Sequence, residues 1–336
     1  MMLINGPTYV GPFSVWQKSD TMRTMNTKNR RFYDDHVAPM IRECFLGYED
    51  RIAVGIAGEG SDCFGYDDVI SRDHDFGTGV CLWLTDEDME EFGKRLAAAY
   101  DDLVAAKERS FYTERLRQRR GVMTIHDFYS NILRIDCDVT GCTITEDEWL
   151  RLDHSCLATA VNGEIFRDDT GIFTRFRDLL IGYYPERVWR IRIAEKMHEY
   201  SANLQVNYAR CMTRGDTVAA ETCRIQGMTA AMELFFLLRR KYMPFYKWAY
   251  KALTELDNSA EFAGRIRELA DLHSDAAAWE GTKYHPNRPN FKDRVVGVSE
   301  DLGYDISQML KDAGLTDRIN PYLEADVNKV LAGGPV

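Results

Sequence analysis

Between residues 58 and 84 the chain reads GEGSDCFGYDDVISRDHDFGTGVCLWL, with six carboxylates and five glycines set between two apolar runs. The crowding centres on Asp73-His74-Asp75. In an extended segment, residues two apart share a face, so Asp73 and Asp75 project together and His74 turns away. Two adjacent carboxylates repel, and one must hold a proton unless a cation neutralises both. Mg²⁺, or Mn²⁺ in its place, takes one or two carboxylates together with substrate phosphates. Asp73 and Asp75 are therefore the candidate metal ligands and catalytic residues.

Upstream, Gly58, Gly60 and Ser61 follow the apolar run 52–57. Small residues there let backbone N–H groups approach an anion, and a serine hydroxyl can bond a phosphate oxygen. A phosphate cradle followed by metal carboxylates makes one device for activating a nucleotide, with ATP the default donor. Arg72 beside the acids is expected to assist in nucleotide binding. So is Lys247, in the basic and aromatic stretch RRKYMPFYKWAY, because such a mixture suits a base and its phosphates. The plain alternatives are an Asx turn at Asp73-His74-Asp75 and a helix N-cap at Ser61. The second is compatible with phosphate binding.

These residues need elements to hold them. RIAVGIA at 51–57 and VCLWL at 80–84 read as buried strands, and GVMTIHDF at 121–128 as a third. Residues 30–45 read as a helix interrupted near Pro39. A further helix opens after Thr85 as N-cap, with Asp88 at N3. Beyond about residue 170 apolar residues recur at i, i+3 and i+4, the helical period. The expected fold class is α+β: a small mixed-sheet domain over 1–150, a connector over 151–185, and a helical bundle over 186–330.

Composition sets limits. The chain has 336 residues, 45% of them hydrophobic and 28% charged, and a net charge of −11. That acidity argues against broad electrostatic capture of nucleic acid. No stretch approaches the roughly 20 apolar residues that a membrane span requires. The eight cysteines include no CxxC pair, and no basic segment precedes an apolar one at the N-terminus. A cytoplasmic protein with reduced thiols and no membrane partner is expected.

A Gly-Ser pair after a strand, then Asp-x-Asp, resembles the nucleotidyltransferase superfamily, which includes DNA polymerase beta and the kanamycin nucleotidyltransferase. The wider pattern, with Gly65, Asp67, Asp68, Ser71 and RDHDFG at 72–77, resembles a bacterial branch known as a domain of unknown function. VNGEIFRDDTG, YYPERVW, NYARCMTRGD and RRKYMPFYKW resemble that branch too. The resemblance implies transfer of a nucleoside monophosphate from a nucleoside triphosphate to an acceptor hydroxyl or similar group. The acceptor would be a small molecule, a tRNA end or a protein side chain. It also implies a helical domain that closes over the nucleotide.

Two departures stand out. Glu59 separates the two glycines, and a third carboxylate is missing where Met123 and Thr124 lie. Asp127, Asp136, Asp138 and Glu164 are substitutes among which the sequence does not choose. The loss supports an alternative function, a catalytically weakened protein that binds or senses nucleotide. A helical ribonuclease using Arg192 and His198 is disfavoured, because six residues on a regular helix turn the two apart.

Overall fold

A computed structural model of the chain describes residues 28–68, 77–107, 114–286 and 288–333. Four strands form one mixed sheet in the order β3-β2-β1-β4. They are β1 (Ala53–Ile56), β2 (Cys81–Leu84), β3 (Gly121–Thr124) and β4 (Glu164–Arg167). β1 runs antiparallel to both β2 and β4, while β2 and β3 are parallel.

The two faces of the sheet follow the alternation of a strand. Val54, Ile56, Leu82 and Leu84 pack under the N-terminal helices with Val37, Ile41 and Phe92. Ala53, Cys81 and Trp83 face the other way, into a core that continues through Phe128 and Phe173 to Tyr200 and Phe235. Trp83 stacks on Phe173 at 4.0 Å between ring centroids. The sheet and the helical part thus share one apolar core.

Several helix starts are capped by side chains. Thr85 accepts a hydrogen bond from the Asp88 N–H, as its position predicts. The third strand is shorter than the expected 121–128. Thr124 ends it by accepting the Asp127 N–H at 2.8 Å, and the helix Ile125–Leu133 begins there. At the N-terminal side, the regular helix is interrupted next to Pro39 but the chain stays helical. A π-helical turn, Tyr33–Val37, leads directly into Ala38–Cys44, so the hydrogen-bond pattern shifts in the turn before Pro39, which has no N–H to donate.

The segment 151–185, expected to connect two domains, instead supplies β4 and the helix Ile172–Ile181, which lays Phe173 on the sheet. The apolar alternation of EIFR is too brief to announce a strand. Beyond it come the long helices Glu186–Tyr200, Thr217–Leu238 and Arg294–Asp312, with shorter ones between. The fold is α+β, a small mixed sheet followed by a helical bundle. Among the described residues no helix is long and apolar enough to cross a membrane.

Candidate functional site

The chain leaves β1 through Gly58 and Gly60, with φ of +100° and +129°. L side chains rarely adopt such angles, and a Cβ on Gly58 would stand 3.1 Å from the Phe128 ring. Ser61 to Phe64 then wind one turn. It closes as helix ends often do, with Gly65 left-handed at φ +72°. Gly65 N–H donates to the Asp62 carbonyl at 3.1 Å, and Tyr66 N–H to the Ser61 carbonyl at 2.8 Å. No helix starts here, so Ser61 is not the N-cap that was the alternative reading.

Three attachments hold this turn. Buried Asn162, just before β4, donates to the Gly58 carbonyl and accepts the Gly58 N–H, both at 2.8 Å. Arg120, only 2% exposed, precedes β3 and donates through Nη2 to Asp62 Oδ2 at 2.8 Å and to Cys63 Sγ at 3.1 Å. Burial pushes the Cys63 thiol well up, so it stays neutral and the Asp62 carboxylate is the counter-ion of Arg120. Burial works against the Arg120 charge, yet the Asp62 carboxylate keeps its pKa above the ordinary arginine value. The third attachment is the Arg119 Nε bond to Glu59 at 3.2 Å.

The far end of the turn docks on the helical bundle. Phe64 meets Phe245 edge-on, and the Tyr66 hydroxyl donates to Glu255 at 2.9 Å. The Tyr66 ring tilts against Trp248 at 5.1 Å. Lys247 lies on that same helix, Tyr246–Thr254, exposed, with its ammonium 5.2 Å from the Trp248 ring. Gly58, Gly60 and Ser61 thus share one turn, and Lys247 belongs to the helix that the turn packs against.

Arg72, Asp73 and Asp75 lie outside the described residues. Beyond them, Gly79 packs on Arg120 while its N–H donates to Asn29 Oδ1 at 3.1 Å. The same arginine that holds Asp62 therefore lines the approach to β2. Among the described residues no group of three or more His, Cys, Asp and Glu is placed to hold a metal ion.

The strand register sorts the substitutes for the third acid. Gly55 pairs with Cys81, so Gly58 stands beyond the start of β2. Thr124 pairs with Leu84, at the opposite end of that strand. Asp127 follows Thr124, and Asp136 is bonded to His126 at 2.8 Å, so both belong to the far end. Asp138 closes its own turn with the Gly141 N–H and the Thr143 hydroxyl. Glu164 pairs with Ile56 and so stands at the Gly58 end, where Arg30 approaches it at 3.4 Å.

Other charged residues have local duties. Arg240 bonds Glu186 at 2.7 Å and covers the Trp189 ring. Asp216 caps the helix Thr217–Leu238. Arg192 donates to the carbonyls of Leu150 and Leu152, whereas His198 bonds Glu324, so the two form no pair. Asn162, Arg119 and Arg120 were not singled out from sequence. The Asn-Gly before β4 is the one local hint, since that dipeptide marks a tight approach to a strand.

A domain of unknown function (DUF4037) matches residues 149–249. That segment begins after β3, and includes Asn162, β4 and Lys247 but not the glycine-rich turn. No curated protein and no solved structure matches the chain.

Proposed function

We propose that this chain is a metal-dependent nucleotidyltransferase, moving a nucleoside monophosphate from a nucleoside triphosphate to an acceptor hydroxyl or similar group. The supporting observation is the turn after β1. It carries left-handed glycines and a serine, and it is held from three sides at the end of the sheet where β2 begins. Such a turn presents backbone N–H groups to an anion without having to order itself on binding. Gly60 and Ser61 hold the β- and γ-phosphates in this reading, Gly58 serves nucleotide binding by shaping the turn with its own N–H and C=O bonded to Asn162, and Arg72 and Lys247 add positive charge.

Asp73 and Asp75 fit Mg²⁺ or Mn²⁺ by the chemistry of the donor set, two carboxylates joined by phosphate oxygens. The bound ion would screen phosphate charge and stabilise charge developing in the displacement. ATP is the default donor, and the acceptor is a small molecule, a tRNA end or a protein side chain. A cytoplasmic location is part of the proposal, in keeping with eight free cysteines.

A second reading, a protein that binds nucleotide without transferring it, is favoured by one observation. β3 reads Gly-Val-Met-Thr without a carboxylate, and Asp127 and Asp136 stand at the wrong end of it. One experiment separates the two. The chain is incubated with cell extract, Mg²⁺ or Mn²⁺ and labelled triphosphates, and extract components are weighed by mass spectrometry. A component gaining a nucleotide supports transfer. Calorimetric binding of triphosphate with no modified component supports the second reading, and absence of binding sinks both.

A further inference from the structure

A second polar cluster lies in the helical part, apart from the glycine-rich turn. A cavity of about 160 Å³ is lined by His154, Tyr184, Arg192, Lys196, Glu233 and Lys241, with Phe236 and Met243 among its apolar walls. That is the liquid volume of about five waters, too small for a nucleotide.

Most of its charges are already matched. Lys196 Nζ reaches Glu233 at 3.0 Å and Glu199 at 2.7 Å. His154 donates through Nδ1 to the Met243 carbonyl at 2.7 Å, and its Nε2 lies 3.6 Å from Glu233. Arg192 is fixed by the Leu150 and Leu152 carbonyls, yet its buried Nε has no partner. Asp153, at the rim, is occupied by Ser155.

Two groups are left over. Tyr184 is 4% exposed, and its hydroxyl bonds to no described residue. Its ring is clamped by Trp149, Tyr183 and Tyr242, so it cannot swing out to water. Lys241 is half-buried without an ion-pair partner among the described residues, and burial lowers its pKa. Its backbone is tied down by bonds to Phe236 and from the Tyr183 hydroxyl. A held hydroxyl and an ammonium without an ion-pair partner among the described residues line one small cavity with the unpartnered Arg192 Nε, and together they offer donors to an acceptor that carries negative charge.

We propose that this cavity binds a small organic anion, a carboxylate or phosphate monoester, held by Lys241, Tyr184 and Arg192, with its carbon skeleton against Phe236 and Met243. The site does not depend on the nucleotidyltransferase reading.

The test titrates the full chain at low ionic strength with inorganic phosphate, glycerol 3-phosphate and malate, followed by calorimetry and thermal shift. At least one should bind and raise Tm progressively with the logarithm of its concentration, and the stronger of the phosphate and carboxylate arms identifies the headgroup. Tyr184→Phe should weaken that binding at least tenfold and Lys241→Met should abolish it, while Ser61→Ala leaves it unchanged. If Lys241→Met fails to fold, Tyr184→Phe removes a single oxygen and still decides. The proposal is overturned if none of the three binds at millimolar concentration, or if binding survives Tyr184→Phe. It is equally overturned if Ser61→Ala removes binding, which would put the anion at the glycine-rich turn.

Discussion

Asn162 and Gly58, 104 residues apart in sequence, exchange two hydrogen bonds of 2.8 Å, one in each direction. A side-chain amide has both the acceptor and the donor that a backbone N–H and C=O require, so one residue satisfies both polar groups of a buried glycine. The entry to the glycine-rich turn is thereby tied to the start of β4.

Asn162→Ala should therefore destabilise the chain, at about 1–3 kcal/mol for each buried group left without a partner. Asn162→Asp keeps the acceptor but sets a buried carboxylate oxygen against the Gly58 carbonyl, and should cost at least as much. Urea unfolding measures both. Triphosphate affinity should drop in parallel, and a variant as stable as the parent would make the pair incidental.

Arg120 and Asp62 form the second attachment, and removing one partner of a buried pair costs about 3–5 kcal/mol. Asp62 retains some solvent contact, with 16% of its side chain exposed, so Arg120→Met should lie toward the lower end. Combining it with Asp62→Asn should recover part of the loss, because the stranded carboxylate is gone. Strictly additive effects in the double-mutant cycle would count against a direct coupling.

Ser61→Ala removes a hydroxyl directed at phosphate in the proposed site. A hydrogen bond to a charged group is worth about 1.5–3 kcal/mol, so triphosphate affinity should fall roughly ten- to a hundredfold. The turn itself closes through the Ser61 carbonyl, so stability should not change. Calorimetry with a folded variant decides, and unaltered affinity would remove Ser61 from the site.

Asp73→Asn and Asp75→Asn should each abolish metal-dependent triphosphate binding, and the double variant should be no worse than either, since both break one unit. Without metal, Tm should stay equal or rise, because one of two repelling carboxylates is gone. Mn²⁺ titration with triphosphate present reads both effects. Wild-type binding by Asp75→Asn would make that carboxylate structural.

The His154–Glu233 contact predicts a pH dependence. Burial pushes the His154 pKa down, but the Glu233 carboxylate and the Met243 carbonyl more than offset it, leaving it above 6.5. A raised folded-state pKa gives stability that is fully present below pH 6.5 and is lost as pH climbs through the folded value. Glu233 runs the other way. Burial raises its pKa and His154 and Lys196 outweigh that, so its share is present above 4.5 and lost on acidification. Unfolding free energy should hence decline from pH 6.5 upward, and His154→Gln should flatten the decline. His126, also raised by Asp136, is more solvated and contributes less, so His126→Gln serves as the control. Identical pH profiles for parent and His154→Gln would contradict the assignment.

Local chemistry carried a definite part of this protein. Strand cores at 53–56 and 81–84, the Thr85 cap and the helical period beyond 170 were legible because each depends on neighbours in sequence. So was the grouping of Gly58, Gly60 and Ser61, which one turn holds by itself. Asp73 and Asp75 remain a reading of the sequence alone. What folding decided depends on contacts between distant segments. EIFR became β4 because β1 offered a free edge, and Asn162 came to Gly58 by that pairing. Arg120, unremarkable beside Arg119 in sequence, became the counter-ion of Asp62 because β3 starts where the turn ends. Parallel pairing of β2 and β3 carried Asp127 and Asp136 away from the turn, a separation invisible in spacing. Register and strand order are set by which apolar faces can be buried together, and that is a property of the whole core rather than of any one segment.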